Sequence, residues 1–348
     1  MSIAIEIVHP SSPGDASGLL ACLRRLPVDR IQRMAVLGKT EGPATLNDFS
    51  RELAQEAVDD AIRQVGGPAL LGRTTRFFST GCEGIASPLT VLLAEFEGAP
   101  PHSQEIGLVF GAATSPLLPD AERGGMAHVE AARETVLRAM TEAGLAADQV
   151  ALVLIKSPIL SAAEASRQGG ERVRHGGSTG SSRGAASIGA GLALGEVDPR
   201  SLGPDPVRRT TAYAMRAMAF SGTEVDRIEA VAIGKRPGGD PRWDIASALV
   251  QDIADGDGMR RLRPDGTQEL VLVLLKAGIS TDGTLRGKRT TVLTSDLPPD
   301  KQLRAAASGV IAACFGEADS FISAGAEHLG PPGACLCTLI LNRKSATF

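Results

Sequence analysis

The sequence is short of aromatic side chains. Nine Phe, one Trp and one Tyr make up 3% of its 348 residues. A chain so built packs its interior with Ala, Val, Leu and Ile, and it lacks the platforms on which nucleic-acid bases stack. Basic excess is also missing: 36 Lys and Arg stand against 40 Asp and Glu, for a net charge of −4. Nucleic acid and anionic membrane surfaces, both of which favour basic faces, are therefore not expected partners. No apolar run is long enough to span a bilayer; Leu270 to Leu275 is strand-length. The opening Met1-Ser-Ile-Ala-Ile-Glu6 has neither the basic start nor the continuous apolar core of a signal peptide. The five cysteines, Cys22, Cys82, Cys314, Cys335 and Cys337, include no CxxC pair. They suggest neither a disulfide framework nor a zinc site, and they suit a reducing cytoplasm. The histidines His9, His102, His128, His175 and His328 show no metal-ligand spacing. No metal or other cofactor is expected.

What is present is repetition. Three strand-like aliphatic runs end in lysine: 33–39, 150–156 and 270–276. Such runs suit strands buried on both faces. Beyond each lysine an arginine opens an Ala-rich helical pattern. Arg183-Gly-Ala-Ala-Ser187 runs on to Gly195-Glu196, and Arg304-Ala-Ala-Ala-Ser308 runs on to Gly316-Glu317 at the same spacing. The first copy offers Arg51, with Asn47 or Asp48 as candidate caps for its helix. Each copy closes on a Gly-x-Glu element: Ser79-Thr-Gly-Cys-Glu83, Phe220-Ser-Gly-Thr-Glu224 and Ser323-Ala-Gly-Ala-Glu327. The expected architecture is α/β, with three similar repeats (1–103, 104–238 and 239–348) around a pseudo-three-fold axis and one central site. The Gly/Ser/Arg-rich stretch 167–183 reads as a loop beside that site.

A lysine at the end of a buried strand is desolvated, which favours its neutral amine and lets it act as a base. Beside a serine it can generate a nucleophile. Gly81, Gly222 and Gly325, just beyond the serine positions, let backbone N–H groups approach a developing oxyanion. An arginine at each helix start offers a planar fork to the carbonyls of a flat ligand. Three copies would frame a pocket for a flat ring with repeated C=O and N–H groups. Cys82, beside Gly81, is a further candidate nucleophile if the nearby lysine lowers its pKa. His328 follows the third Gly-x-Glu and either lines the site or serves an ordinary loop role.

Together, Gly38-Lys-Thr-Glu-Gly42, Asn47-Asp-Phe-Ser-Arg51, Ser182-Arg-Gly-Ala-Ala-Ser-Ile-Gly189, Leu192-Ala-Leu-Gly-Glu196, Arg286-Gly-Lys-Arg289 and Ser323-Ala-Gly-Ala-Glu-His-Leu-Gly-Pro331 resemble the cyanuric acid hydrolase and barbiturase family of ring-opening amidohydrolases. The resemblance spans the chain. It implies a homotetramer that hydrolyses a cyclic amide, imide or ureide without a catalytic metal. Lys39, Lys156 and Lys276 would match the family lysines, Arg51, Arg183 and Arg304 its arginines, and Ser79 and Ser323 two of its serines. The family nucleophile is expected in the central repeat, beside Lys156 as base or polariser. There, ungapped alignment on Gly222 and Glu224 puts Phe220 at the serine position and Ser221 one residue later. Three readings follow. Ser221 replaces the nucleophile through a backbone slip; the Lys39–Ser79 or Lys276–Ser323 pair takes over; or hydrolysis is lost, leaving a ring-binding protein or other Lys/Arg chemistry. A leucine and a Gly-poorer tail after His328 depart from the part of the family pattern associated with a structural metal.

Overall fold

The computed structural model describes residues 2–43, 48–98, 104–160, 166, 178–264, 266–316 and 319–343. Asn47, His102, His175, Glu317 and residues 167–177 of the expected loop lie outside them. The chain runs β1 (Ser2–Val8), α1 (Ser17–Arg25), β2 (Ile31–Thr40), α2 (Ser50–Leu71), β3 (Thr74–Thr80) and β4 (Leu89–Phe96). It continues with β5 (Ile106–Leu117), α3 (Met126–Ala143), β6 (Val150–Pro158), α4 (Thr179–Ala193), α5 (Pro206–Arg209), β7 (Ala217–Gly222) and β8 (Arg227–Pro237). Last come β9 (Trp243–Val250), α6 (Gly256–Arg260), β10 (Gln268–Ala277), a small hairpin of β11 (Thr284–Leu285) and β12 (Lys288–Arg289), α7 (Pro299–Phe315), β13 (Asp319–Ala324) and β14 (Cys335–Arg343).

Three four-stranded sheets share one strand order: β1-β4-β2-β3, β5-β8-β6-β7 and β9-β14-β10-β13. In each, the lysine-ending strand pairs in parallel with the strand leading to Gly-x-Glu, across a helical crossover. Parallel neighbours need such a crossover, and its helix covers one sheet face.

Side-chain alternation then divides each sheet in two. One face turns to a core shared by all three sheets, with Leu37 and Phe77 from the first, Leu154 and Met218 from the second, and Leu274 and Phe321 from the third. The other face meets helices through Val36 and Phe78, Val153 and Ala219, and Val273 and Ile322. The scarce aromatics concentrate at the centre, where Phe77, Phe110, Phe220, Phe321 and Trp243 join the shared core. The Ala-rich helices α3 and α4 pack over the second sheet through Ala132, Ala139, Ala186 and Ala190, all fully buried. Small side chains let these layers approach closely, so the low aromatic content fits the helix-facing cores. Among the described residues, no helix is long and apolar enough to cross a membrane.

Candidate active site

Lys39, Lys156 and Lys276 stand two residues beyond Leu37, Leu154 and Leu274, so all three fall on the face shared by the sheets. Each is essentially inaccessible to solvent. Strand register then decides what lies beside each: Lys39 pairs with Ser79, Lys276 with Ser323, and Lys156 with Phe220. Lys276 Nζ donates to Ser323 Oγ at 3.0 Å and to the Ala324 carbonyl at 3.4 Å. Lys39 Nζ donates to Ser79 Oγ at 3.3 Å and to the Thr80 carbonyl at 2.9 Å. Lys156 has no serine partner. It donates to the Phe78 carbonyl at 2.8 Å and forms an ion pair with Glu224.

Burial moves these amines. Desolvation, assisted by the Arg304 charge, lowers Lys39 to about 7. Desolvation and then the Arg183 charge hold Lys276 well below the usual lysine range. Desolvation also lowers Lys156, against the pull of the Glu224 carboxylate.

The Phe220 ring occupies the centre. It is 3% exposed, lies 4.8 Å from Lys276 Nζ, and meets Phe321 edge-on at 5.7 Å and 89°. Ser221 does not take over the serine position. The β6–β7 register runs without a shift, so alternation turns Ser221 to the helix face, where its hydroxyl donates to the Thr179 carbonyl at 3.4 Å. A one-residue slip would need a bulge that β7 does not have.

The three arginines form a closed cycle with the three glutamates of the Gly-x-Glu elements. Arg51 of the first repeat donates from Nε to Glu224 of the second at 3.2 Å. Arg183 of the second grips Glu327 of the third through two bonds of 2.8 Å. Arg304 of the third grips Glu83 of the first at 2.5 and 2.6 Å, and also donates to Asp300 at 2.8 Å. The sequence pattern placed these glutamates at equivalent positions; their pairing with the next repeat's arginine had no sequence signal. Gly81 and Gly325 have φ of 98° and 85°, and a Cβ at either would strike the Arg304 or Arg183 guanidinium. Gly222 departs again, because Glu224 folds over it instead.

The other candidates take structural roles. Cys82 Sγ donates to the Thr40 carbonyl at 3.3 Å, and burial pushes its thiol up to about 11, the opposite of activation. His328 places its two ring nitrogens 3.0 and 2.8 Å from the carbonyls of Ala212 and Val207, tying the third repeat to the second. Asp48 accepts from Ser50 N at 3.0 Å as the chain enters α2, while Phe49 is the cap residue. Behind Lys156, buried His128 accepts from Gly124 N–H at Nδ1 and stands 2.9 Å from Ser157 Oγ. Its Nε2 therefore carries the proton and donates, and burial lowers the imidazole to about 3. This His–Ser contact has no free base. Among the described residues, no cluster of three or more His, Cys, Asp or Glu could hold a metal ion.

Comparison with known proteins decides the family. The family model described as "Amidohydrolase ring-opening protein (Amido_AtzD_TrzD)" matches residues 4–342. The chain belongs to this ring-opening amidohydrolase family. A cyanuric acid amidohydrolase of Methylobacterium sp. (strain 4-46) is 36% identical, over 97% of this chain and 96% of the relative. A cyclic amide hydrolase of Azorhizobium caulinodans is 32% identical, over 96% of this chain and 98% of the relative. The crystal structure of a cyanuric acid hydrolase from A. caulinodans matches with a TM-score of 0.88 at 31% identity, covering 99% of each chain. The three like α/β sheets of this chain thus match the solved cyanuric acid hydrolase over its full length.

Proposed function

We propose that this protein is an amidohydrolase that opens a small, flat cyclic amide, imide or ureide by serine–lysine chemistry in the first and third repeats. The observation that carries this reading is the pair of lysine–serine contacts at matching strand positions, each with a buried amine. Lys276 and Ser323 form the attacking pair: theirs is the shorter contact, and Lys276 is held well below the usual lysine range. Neutral Lys276 takes the Ser323 proton as Oγ attacks a ring carbonyl. Collapse of the tetrahedral intermediate breaks the C–N bond, and the lysine returns the proton to the departing ring nitrogen. Water then hydrolyses the acyl-serine. Lys39 and Ser79 polarise a second carbonyl, and Arg51, Arg183 and Arg304, each paired with a glutamate of the next repeat, hold the Gly-x-Glu elements in place around the ring. Gly81 and Gly325 do not supply the oxyanion donors that the sequence suggested: their N–H groups donate to the Thr40 and Ala277 carbonyls, and the missing side chains make room for the Arg304 and Arg183 guanidiniums.

Ser323→Ala is expected to lower kcat/KM by about 10³-fold or more, chiefly through kcat, and Ser79→Ala to lower kcat/KM by about 10- to 100-fold, chiefly through KM. Equal, small losses in both variants would overturn the assignment. A second reading, ring binding without turnover, draws on Phe220 at the central serine position; calorimetric binding of cyclic imides with no ring-opened product would favour it. The repeat boundaries 1–103, 104–238 and 239–348, a homotetramer and a cytoplasmic location complete the proposal, and solution mass tests the tetramer.

A further inference from the structure

Two stations of the centre offer the same chemistry, and the third offers its opposite. At the first and third, a serine hydroxyl and a buried amine stand at the centre, with Lys39 Nζ 5.7 Å from the Phe321 ring centroid and Lys276 Nζ 4.8 Å from that of Phe220. At the second, the matching strand position carries a phenyl ring, and the lysine beside it is occupied by Glu224 and the Phe78 carbonyl. The ring cannot readily swing aside: Phe321 meets it edge-on, and Lys276 Nζ sits 4.8 Å from its centroid. With Glu224 paired to both Lys156 and Arg51, the second station also has no spare cation for a carbonyl.

A six-membered trione with three equivalent C=O/N–H edges fits this arrangement poorly. Whichever way it turned, one polar edge would lie against the phenyl ring and leave water without a new partner, a mismatch worth roughly 10- to 100-fold in binding. A ring with a carbonyl–NH–carbonyl face and a hydrocarbon edge fits. Its two carbonyls reach the two lysine–serine stations, and its carbon edge gains by burial against Phe220. Phenylalanine in place of serine also narrows the space, which favours a five-membered ring over a six-membered one.

We propose that Phe220 is a specificity wall that selects a five-membered cyclic imide, held with its carbon edge on the phenyl ring. This rests on the ring-opening reading above. Ser323 Oγ attacks one imide carbonyl, and the C–N bond breaks. The ring nitrogen leaves as a primary amide after taking the proton from Lys276. Hydrolysis of the ester then gives the half-amide of a dicarboxylic acid.

The test compares kcat/KM and calorimetric affinity for succinimide and cyanuric acid in the wild-type protein, Phe220→Ser and Phe220→Leu. The wild type should favour succinimide by about tenfold or more. Phe220→Ser should shift that ratio toward cyanuric acid by about 10- to 100-fold, whereas Phe220→Leu, which keeps an apolar wall, should preserve the preference. A wild-type preference for cyanuric acid, or a ratio unmoved by Phe220→Ser, overturns the wall. If no variant opens either ring but the binding preference and its reversal are seen, the wall stands and ring opening fails. Should Phe220→Ser not fold, the wild-type ratio and Phe220→Leu decide.

Discussion

The second and third repeats share strand order, register and the arginine that opens the crossover helix, yet their lysines differ in kind. Lys276 faces a serine hydroxyl and has no direct carboxylate partner; Lys156 faces a phenyl ring and is tied to Glu224. The backbone frame thus sets where a group stands. What the group can do depends on its neighbours: Phe220 in place of a serine, and Glu224 folded onto the amine, set Lys156 apart from Lys276.

The largest effect that would sharpen this contrast is on stability. Glu224→Gln leaves the buried Lys156 charge without its counter-ion and should cost about 3–5 kcal/mol in chemical denaturation. Glu327→Gln, whose carboxylate side chain is 36% exposed, should cost about 1 kcal/mol. Equal losses would erase the distinction between the two repeats.

Lys39 gives an intermediate effect with a defined sign. Its folded pKa lies near 7, below the ordinary lysine value of 10.5. Between those values the unfolded chain holds a proton that folded Lys39 has released, so this group makes stability rise with pH. Below about 7 the full cost of burying the ammonium is present. Lys39→Met should therefore stabilise by on the order of 2 kcal/mol at pH 6, with the gain shrinking toward pH 10. A gain independent of pH would show that burial of charge is not its source. The smallest effect belongs to Ser221→Ala: with the hydroxyl on the helix face, turnover should stay within about twofold. A loss of 100-fold or more would place Ser221 in the chemistry after all.

Much of the fold was legible because the repeats carry their own alignment. The runs ending at Lys39, Lys156 and Lys276 mark equivalent strands, and alternation of two then fixes which side chains share a face. Phe220 could be placed opposite Lys156 on the same ground. The outcome at Ser221 needed the register, since a bulge of one residue would have reversed it. The arginine–glutamate cycle was not legible, because its partners lie 144 to 221 residues apart and belong to different repeats. Nor was the state of Cys82: its burial beneath the Thr40 carbonyl, more than the nearby lysine, sets its pKa.

The arginine–glutamate cycle is a head-to-tail contact: each repeat presents an arginine to the next and a glutamate to the one before. Identical subunits joined by such a contact would close as a three-membered ring. In that ring every substitution would appear at all three stations at once, and a serine-to-phenylalanine change would line the whole centre with phenyl rings. Holding the three copies on one polypeptide frees each station to change alone. Covalent linkage is thus what makes an asymmetric centre, with a lysine–serine pair in two repeats and a phenyl ring in the other, accessible to point mutation.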